Sequence, residues 1–256
     1  MTAPAPFIDP NRPKSKRRPL KAWRHMQKLI ADKEDTAQVF HIIEALNGNS
    51  TRKDFDRFMR TPSGQHLLRQ RTYLPDLLDD HEPLKALPKG TVGRTYVDFM
   101  EREGLTANGL VEESLSQRDD YQKFDDDLLW YANRLRDTHD MYHILTGYGR
   151  DALGEDALLG YTYSQHGGLG IRFISYMGSR LITKEAPSEA RIKDVVAEAR
   201  QNGKRAKRII EQDIEKLLDQ PLDEVRERLN IAEPVLYKRA IRIFQDYNQD
   251  PLLVAA

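Results

Sequence analysis

Cysteine is absent from the chain. That excludes disulfides, thiolate nucleophiles, iron–sulfur clusters and every zinc site built on sulfur. Any metal is left to His, Asp, Glu or backbone oxygen. Net charge is absent as well, because 40 Lys+Arg balance 40 Asp+Glu, and a general nucleic-acid binder needs a basic excess. No apolar run approaches the roughly 20 residues that cross a bilayer, in keeping with a mean hydropathy of −0.69. No apolar segment follows the basic N-terminal residues, so no signal peptide is expected. Period-2 alternation is nearly missing, and no internal repeat is found, which leaves little room for sheets or solenoids.

What remains is helical. The 256 residues, 39% hydrophobic and 31% charged, suffice for one sizeable helical core. The zero net charge hides segregation: residues 1–31 hold eight Lys/Arg against Asp9 alone, so this arm carries +7 and the rest −7. Such an arm suits an anionic surface, most economically a membrane with anionic lipids; its bland reading is a solvated tail. Pro4, Pro6, Pro10, Pro13 and Pro19 set residues 1–19 apart as a flexible, basic arm. Residues 20–256 are expected to form a single helical domain.

The expected helices are residues 21–33 begun by Pro19, one capped by Asp35 and stopped by Gly48, then 52–59, and 62–71 capped by Thr61. Pro75, Pro83 and Pro88 are expected to break the next stretch into turns before a helix from Gly90-Thr91-Val92-Gly93 to Met100. The acidic stretch 112–127 reads as an exposed connection that places Asp125, Asp126 and Asp127 at a helix N-terminus. One long helix should follow over 126–146, then helices over 154–165, 188–202, 206–218, 222–229 and 233–247.

The long helix carries the chemistry. At 100° per residue, His139 and His143 fall within about 60° of Leu128, continuing the apolar stripe of Leu128, Ala132 and Leu135. Asp140 falls at the polar edge of that stripe, next to His143. Two imidazoles at i and i+4 with a carboxylate between them can reach one ion. Glu155 is the natural fourth ligand, because Gly147-Tyr148-Gly149 lets the chain reverse before Gly154-Glu155 opens the next helix. The plain alternative is a pair of half-buried histidines beside a surface acid. Tyr142, Tyr148, Tyr161, Tyr163, Phe173, Tyr176 and Met177 cluster in sequence around these residues, as core or as the lining of an apolar groove.

The string His139-Asp140-Met141-Tyr142-His143, followed after eleven residues by Glu155, resembles the HDxxH-x11-E signature of the Coq-four family of ubiquinone (coenzyme Q) biosynthesis. Arg134-Leu135-Arg136-Asp137 is similar to the family's lead-in. Leu87-Pro88-Lys89-Gly90-Thr91-Val92-Gly93 with Tyr96 and Phe99, Pro62-Ser63-Gly64 to Leu68 and Arg71, and Pro221-Leu222-Asp223-Glu224-Val225-Arg226 to Ile231 resemble further family segments in the same order. Departures fall at Thr72, Leu159-Gly160 and Gln165-His166-Gly167-Gly168.

The resemblance implies an all-α, multi-helix domain with an apolar groove for an isoprenoid tail beside a metal-binding helix pair. The metal ligands would be His139, Asp140, His143 and Glu155. Zinc suits this set, and magnesium, manganese and iron also accept it. Arg136, and less directly Arg134, would contact a substrate carboxylate; the bland reading of both is a surface ion pair with Asp137 or Asp140. The implied partners are a prenylated quinone precursor or other isoprenoid lipid, further ubiquinone-biosynthesis enzymes, a membrane surface and, in one variant, a second copy of the chain. Nucleic acid is not among them. The expected location is cytoplasmic and peripheral on the inner face of the cell membrane, or the matrix side of the inner membrane in a mitochondrion.

Three functions follow in order. The first is support of oxidative decarboxylation at ring carbon 1 of the precursor. The second is a non-catalytic lipid-binding scaffold. The third, a metal-dependent phosphohydrolase, lacks the further His and Asp ligands it needs, since His41, His66 and His81 have no metal-type neighbours in sequence.

Overall fold

The computed structural model describes residues 6–13, 15–32, 35, 37–116 and 124–249. The apolar C-terminal stretch Leu252–Ala256, expected to dock or fray, lies outside these. The fold is all-α: the described residues hold fifteen α-helices and no strand, with one isolated bridge between Thr91 and Pro221. The chain's contacts gather it into two compact units, one of residues 1–15, 48–145 and 208–225, the other of 16–47, 146–207 and 226–256.

The first unit contains α3 (Ser50–Phe58), α4 (Pro62–Gln70), α5 (Leu74–Asp79), α6 (His81–Lys85), α7 (Val92–Glu103), α8 (Ala107–Ser116), α9 (Asp127–Asp137) and most of α10 (His139–Thr146). Its core joins Phe55 and Phe58 of α3, Leu67 and Leu68 of α4, Leu128 and Tyr131 of α9, and Ile210. Within this core a polar network is buried. Tyr131 donates to Asp54 at 2.6 Å, and Arg208 reaches the other oxygen of Asp54 at 2.5 Å and Glu211 at 2.5 Å. A buried carboxylate persists only when paired and hydrogen-bonded.

Local chemistry explains several helix starts. Thr61 accepts from Gly64 N, and Pro62 occupies the first turn of α4 where no N–H is needed. Asp126 caps α9 through Leu129 N. Asp126 and Asp127, expected at the end of an exposed connection, are buried: Arg12 forks onto Asp126 at 2.6 and 2.8 Å, and Arg71 pairs with Asp127. The N–H groups of Phe7 and Asp9 also donate to these two carboxylates. Part of the basic arm is thus anchored on the first unit.

Four expectations are corrected. Pro75 and Pro83 begin α5 and α6 rather than breaking the chain into turns, since proline fits a first helical turn. The long helix is divided at Thr138, whose hydroxyl donates back to the carbonyl of Arg134 at 2.8 Å, a bond that bends helices. Residues 206–218 form no α-helix. They make 3-10 turns at Ile209–Glu211 and Glu215–Leu217, because the carbonyls an α-helix would use accept from elsewhere. Arg134 takes those of Ile210 and Gln212, and Gly93 N takes that of Leu218. Finally, α12 (Leu169–Glu185), at seventeen residues the longest described helix, was not anticipated.

The second unit contains α1 (Pro19–Ala31), α2 (Ala37–Asn47), α11 (Ala152–His166), α12, α13 (Ile192–Arg205) and α15 (Val235–Asp246). α14 (Leu222–Leu229) is divided between the units after Val225. Ala22 and Met26 of α1, Ile42 and Ala45 of α2, and Ile174 of α12 form one core cluster. Gly160 and Gly203 let α11 and α13 approach closely: a methyl on Gly160 would press on Val196, and one on Gly203 would overlap the carbonyl of Tyr161.

Two stability predictions follow from these buried charges. Arg208→Met leaves Asp54 buried without its cation and is expected to cost about 3–5 kcal/mol, read by urea unfolding; replacing Asp54 by Leu as well should recover part of the loss. Asp156 on α11 accepts from Ser179 at 2.5 Å while its other oxygen has no hydrogen-bond partner among the described residues, and burial pushes its carboxyl up to about 7. A carboxyl raised on folding costs stability as pH climbs from the ordinary Asp range through 7. Asp156→Asn should therefore melt higher than wild type at pH 8 and lose that advantage at pH 5.

Candidate metal centre

α10 brings three of the four expected ligands together. His139, Asp140 and His143 each offer one ligand atom, and these atoms lie within 4.8 Å of one another. The Nε2 atoms of His139 and His143 are 3.3 Å apart, with the rings edge to face at 87°. Two nitrogens bound at 2.0–2.1 Å to a tetrahedral cation stand about 3.3 Å apart, so the pair fits a zinc-type ion without rearrangement. His143 is buried, and His139 and Asp140 are half-buried. A donor set of two imidazoles and a carboxylate suits zinc and also admits magnesium, manganese or iron.

α7 supplies the surroundings of the triad. Phe99 stacks on His143 with centroids 5.7 Å apart and planes 24° apart, and the Arg102 guanidinium lies over the Phe99 ring, 5.3 Å from its centroid. The Tyr96 hydroxyl is buried and has no hydrogen-bond partner among the described residues. Burial pushes its phenol up, and the charges of Asp140 and Asp79 add to the shift. Tyr96 therefore stays a neutral phenol within electrostatic range of the Asp140 carboxylate. Sequence reading assigned no role to either residue, although the spacing Tyr96 to Phe99 puts both on one helix face.

The position of α7 is set by two segments that the sequence comparison had singled out separately. In the stretch 87–93, Thr91 caps α7 and also donates to the carbonyl of Pro88 at 2.8 Å, while Gly90 adopts φ +85°. The carbonyl of Gly90 accepts from Leu222 N, and the N–H groups of Val92 and Gly93 donate to Gln220 and Leu218. A methyl on Gly93 would crowd the Leu218 carbonyl. Residues 87–93 and the start of the 221–226 segment are thus paired backbone to backbone, and α7 leaves this junction with Tyr96 and Phe99 on one face.

The expected substrate-contacting arginines are both buried and both engaged with protein. Arg134 donates from Nε to Ile210 O at 3.2 Å and from Nη2 to Gln212 O at 2.6 Å. Burial pulls its guanidinium down to about 10, against the opposing charge of Asp213. Arg136 pairs with Asp137 at 2.6 and 2.7 Å and donates to Ser114 at 3.3 Å. The Arg136–Asp137 pair is present as the bland reading has it, but it is buried rather than on the surface, with side chains 5% and 6% exposed.

Glu155 lies in the second unit, half-buried in the first turns of α11. Its location is fixed locally. Asp151 caps the helix by accepting from Gly154 N at 3.0 Å and also accepts from the Tyr237 hydroxyl. Gly154 packs against the backbone of Gly149, where any methyl would overlap the Gly149 carbonyl. Among the aromatic residues noted in sequence, Tyr142, Tyr148 and Tyr161 are core, Tyr163, Phe173 and Met177 are half-buried, and Tyr176 is exposed.

A family model described as coenzyme Q (ubiquinone) biosynthesis protein Coq4 matches residues 22–235. The mitochondrial ubiquinone biosynthesis protein coq4 of Aspergillus niger is 32% identical over 184 residues, which span 70% of this chain and 59% of that protein. The mitochondrial COQ4 homolog of Bos taurus is 26% identical over 181 residues, 71% of this chain and 65% of that one. The matched region thus spans less than two thirds of either relative. A crystal structure from Nostoc punctiforme, provisionally described as a ubiquinone biosynthesis protein, aligns with a TM-score of 0.64 at 20% identity over 85% of this chain and 100% of that one. At that identity the likeness is one of fold.

The triad yields a direct prediction. Metal-stripped protein titrated with zinc is expected to take up one equivalent, and His139→Ala and His143→Ala should each weaken uptake at least 100-fold while circular dichroism stays helical. Equal uptake by wild type and His143→Ala would reduce the histidine pair to packing.

Proposed function

The chain belongs to the coenzyme Q (ubiquinone) biosynthesis protein Coq4 family, and on that premise we propose that it binds a prenylated aromatic precursor of ubiquinone beside a divalent ion. His139, Asp140 and His143 would hold the ion, and Glu155 is the further ligand that the family resemblance implies. The function supported is replacement of the carboxyl at ring carbon 1 by hydroxyl. The observation that carries this reading is the compact His139–Asp140–His143 cluster inside the region matched by the family model.

When bound, the ion supplies a Lewis acid for the precursor's carboxylate or phenolate. The chain's own groups do the rest. Arg136, with Asp137 behind it, is the cation available to steady a carboxylate oxygen in a water-poor setting. Arg134 acts at one remove, since its bonds to Ile210 and Gln212 hold α9 and hence α10 in place. Phe99 covers one face of His143 and keeps water from it. Loss of carbon dioxide with gain of a hydroxyl is a two-electron oxidation, so an external oxidant and oxygen donor are required. Zinc would only bind and polarise; iron or manganese could also take part in electron transfer.

The scaffold reading has its own support. A full set of four protein ligands would leave the ion no open position, as in structural sites, and both arginines already spend N–H groups on protein acceptors. In either role the chain would work on a membrane surface beside other enzymes of ubiquinone synthesis, alone or as a homodimer. That surface would be the cytoplasmic face of the cell membrane or, in a mitochondrion, the matrix face of the inner membrane. Among the described residues no helix is long and apolar enough to cross a membrane.

The test is complementation of a host whose own relative has been deleted, with ubiquinone and its precursors measured by mass spectrometry. Wild type should restore ubiquinone, and His143→Ala should accumulate a prenylated precursor that retains its carboxyl. Arg136→Met should lower flux at least tenfold with metal content unchanged. Turnover by the purified, metal-loaded chain would decide for the enzyme; metal and lipid binding without turnover would decide for the scaffold. Failure of wild type to restore ubiquinone in a host expressing it stably would sink the pathway assignment.

A further inference from the structure

We propose that one face of the second unit, built from α1 and α12, seats the protein on an anionic phospholipid bilayer. This deepens the membrane location given above by naming the surface that makes it.

α1 is amphipathic in three sectors rather than two. Ala22 and Met26 point into the core. Next to them on the wheel, Leu20, Trp23 and Ile30 are apolar yet exposed by 77%, 45% and 37%. On the far side lie Lys21, Arg24 and Lys28. α12 continues the apolar strip. Leu169, Phe173 and Tyr176 follow at i, i+4 and i+7, with Leu169 37% and Tyr176 58% exposed. Trp23 and Phe173 meet with ring centroids 6.5 Å apart, so the two rows lie side by side. Half of the large apolar side chains exposed among the described residues belong to these two helices.

The charges around the strip argue for lipid as its occupant. From Pro10 to Ala31 the sequence contains no acid. Arg18 and Lys21 pair with Glu44. Lys16, Arg17, Arg24 and Lys28, and on α12 Arg172 and Lys184, have no ion-pair partner among the described residues, and all are exposed or at the surface. Arg180 lies 6.0 Å over the Tyr176 ring and reaches its hydroxyl at 3.5 Å. An exposed strip of Trp, Leu, Ile and Tyr flanked by uncompensated Lys and Arg matches a bilayer interface, where rings and aliphatic groups enter the headgroup boundary and cations meet lipid phosphates. A protein partner would need acids placed opposite six separate cations; an anionic bilayer presents them everywhere.

The chain has two tryptophans, Trp23 and Trp130. Trp130→Phe therefore leaves Trp23 as the sole reporter. With vesicles of phosphatidylcholine plus phosphatidylglycerol, Trp23 emission is expected to shift to the blue and to be quenched by lipids brominated on the acyl chain. Vesicles of phosphatidylcholine alone should produce little shift. Trp23→Glu and the pair Arg24→Glu/Lys28→Glu should each weaken cosedimentation at least tenfold, while Val235→Glu, at an exposed position of α15, should leave it unchanged. All variants are checked for unchanged thermal midpoint and for zinc uptake.

Absence of wild-type binding to either vesicle would overturn the proposal, as would a concentration-dependent blue shift without lipid, which marks a protein interface instead. Equal binding by all variants would overturn the assignment of this face while leaving membrane association intact. Because zinc uptake is read in the same samples, loss of the metal centre and loss of the membrane face are seen separately.

Discussion

The first unit turns on what one face of α9 buries. Tyr131 and Arg134, three residues apart, are both sealed from solvent, and both are polar. Tyr131 donates to Asp54, which also holds Arg208, and Arg134 donates to the carbonyls of Ile210 and Gln212. A buried guanidinium whose N–H groups lack acceptors costs far more than an ordinary hydrogen bond returns. The segment 208–212 therefore has to lie where its carbonyls meet Arg134, and α9 cannot rotate without opening these bonds. The rotation of α9 fixes where α10 begins, and with it the direction in which His139 and His143 point. The histidine pair is thus aimed by groups that never touch it.

A second constraint converges on the same side chains from the other direction. The junction between residues 87–93 and 218–222 is made of backbone hydrogen bonds and a glycine packed against a carbonyl. Such a junction admits little variation, because any side chain at Gly93 would press on Leu218. It sets the start of α7, and α7 then lays Phe99 on the His143 ring. The first unit therefore holds the triad by polar bonds beneath α9 and by apolar stacking from α7. On that α7 face the buried Tyr96 hydroxyl has no hydrogen-bond partner among the described residues.

Much of this was legible in the residues. Thr61 was expected to cap its helix and does so through Gly64 N, and Asp125, Asp126 and Asp127 were expected at a helix start, where Asp126 caps α9 through Leu129 N. The i, i+4 histidines with Asp140 between them identified the cluster that α10 assembles. What stayed hidden depends on partners distant in sequence. Residues 206–218 have a helical pattern, yet tertiary acceptors claim their carbonyls. Thr138 looks like an ordinary helix residue until its hydroxyl is seen to bond backwards. α12 carries Gly170 and Gly178 among β-branched residues, a weak helix former by propensity, and it is held by packing: Gly178 adjoins Asp156, and Gly170 adjoins Ile43. The burial of Arg134 and Arg136 was equally unreadable, since burial of a charge is decided by what surrounds it.

The charge distribution shows the same dependence on context. Sequence alone counts eight cations in the first 31 residues and treats them alike. The structure divides them by neighbour. Arg12 is consumed in a buried fork on Asp126, and Arg18 and Lys21 share Glu44. Those pairs neutralise the arm where it meets protein. Lys16, Arg17, Arg24 and Lys28 have no such partner among the described residues, so the positive potential that survives there lies on and just before α1. Screening shortens the reach of that potential to about 8–10 Å at physiological salt, so it acts at contact range. Within that range stand Leu20 and Trp23, which a solvated tail would have no physical reason to present beside its charges.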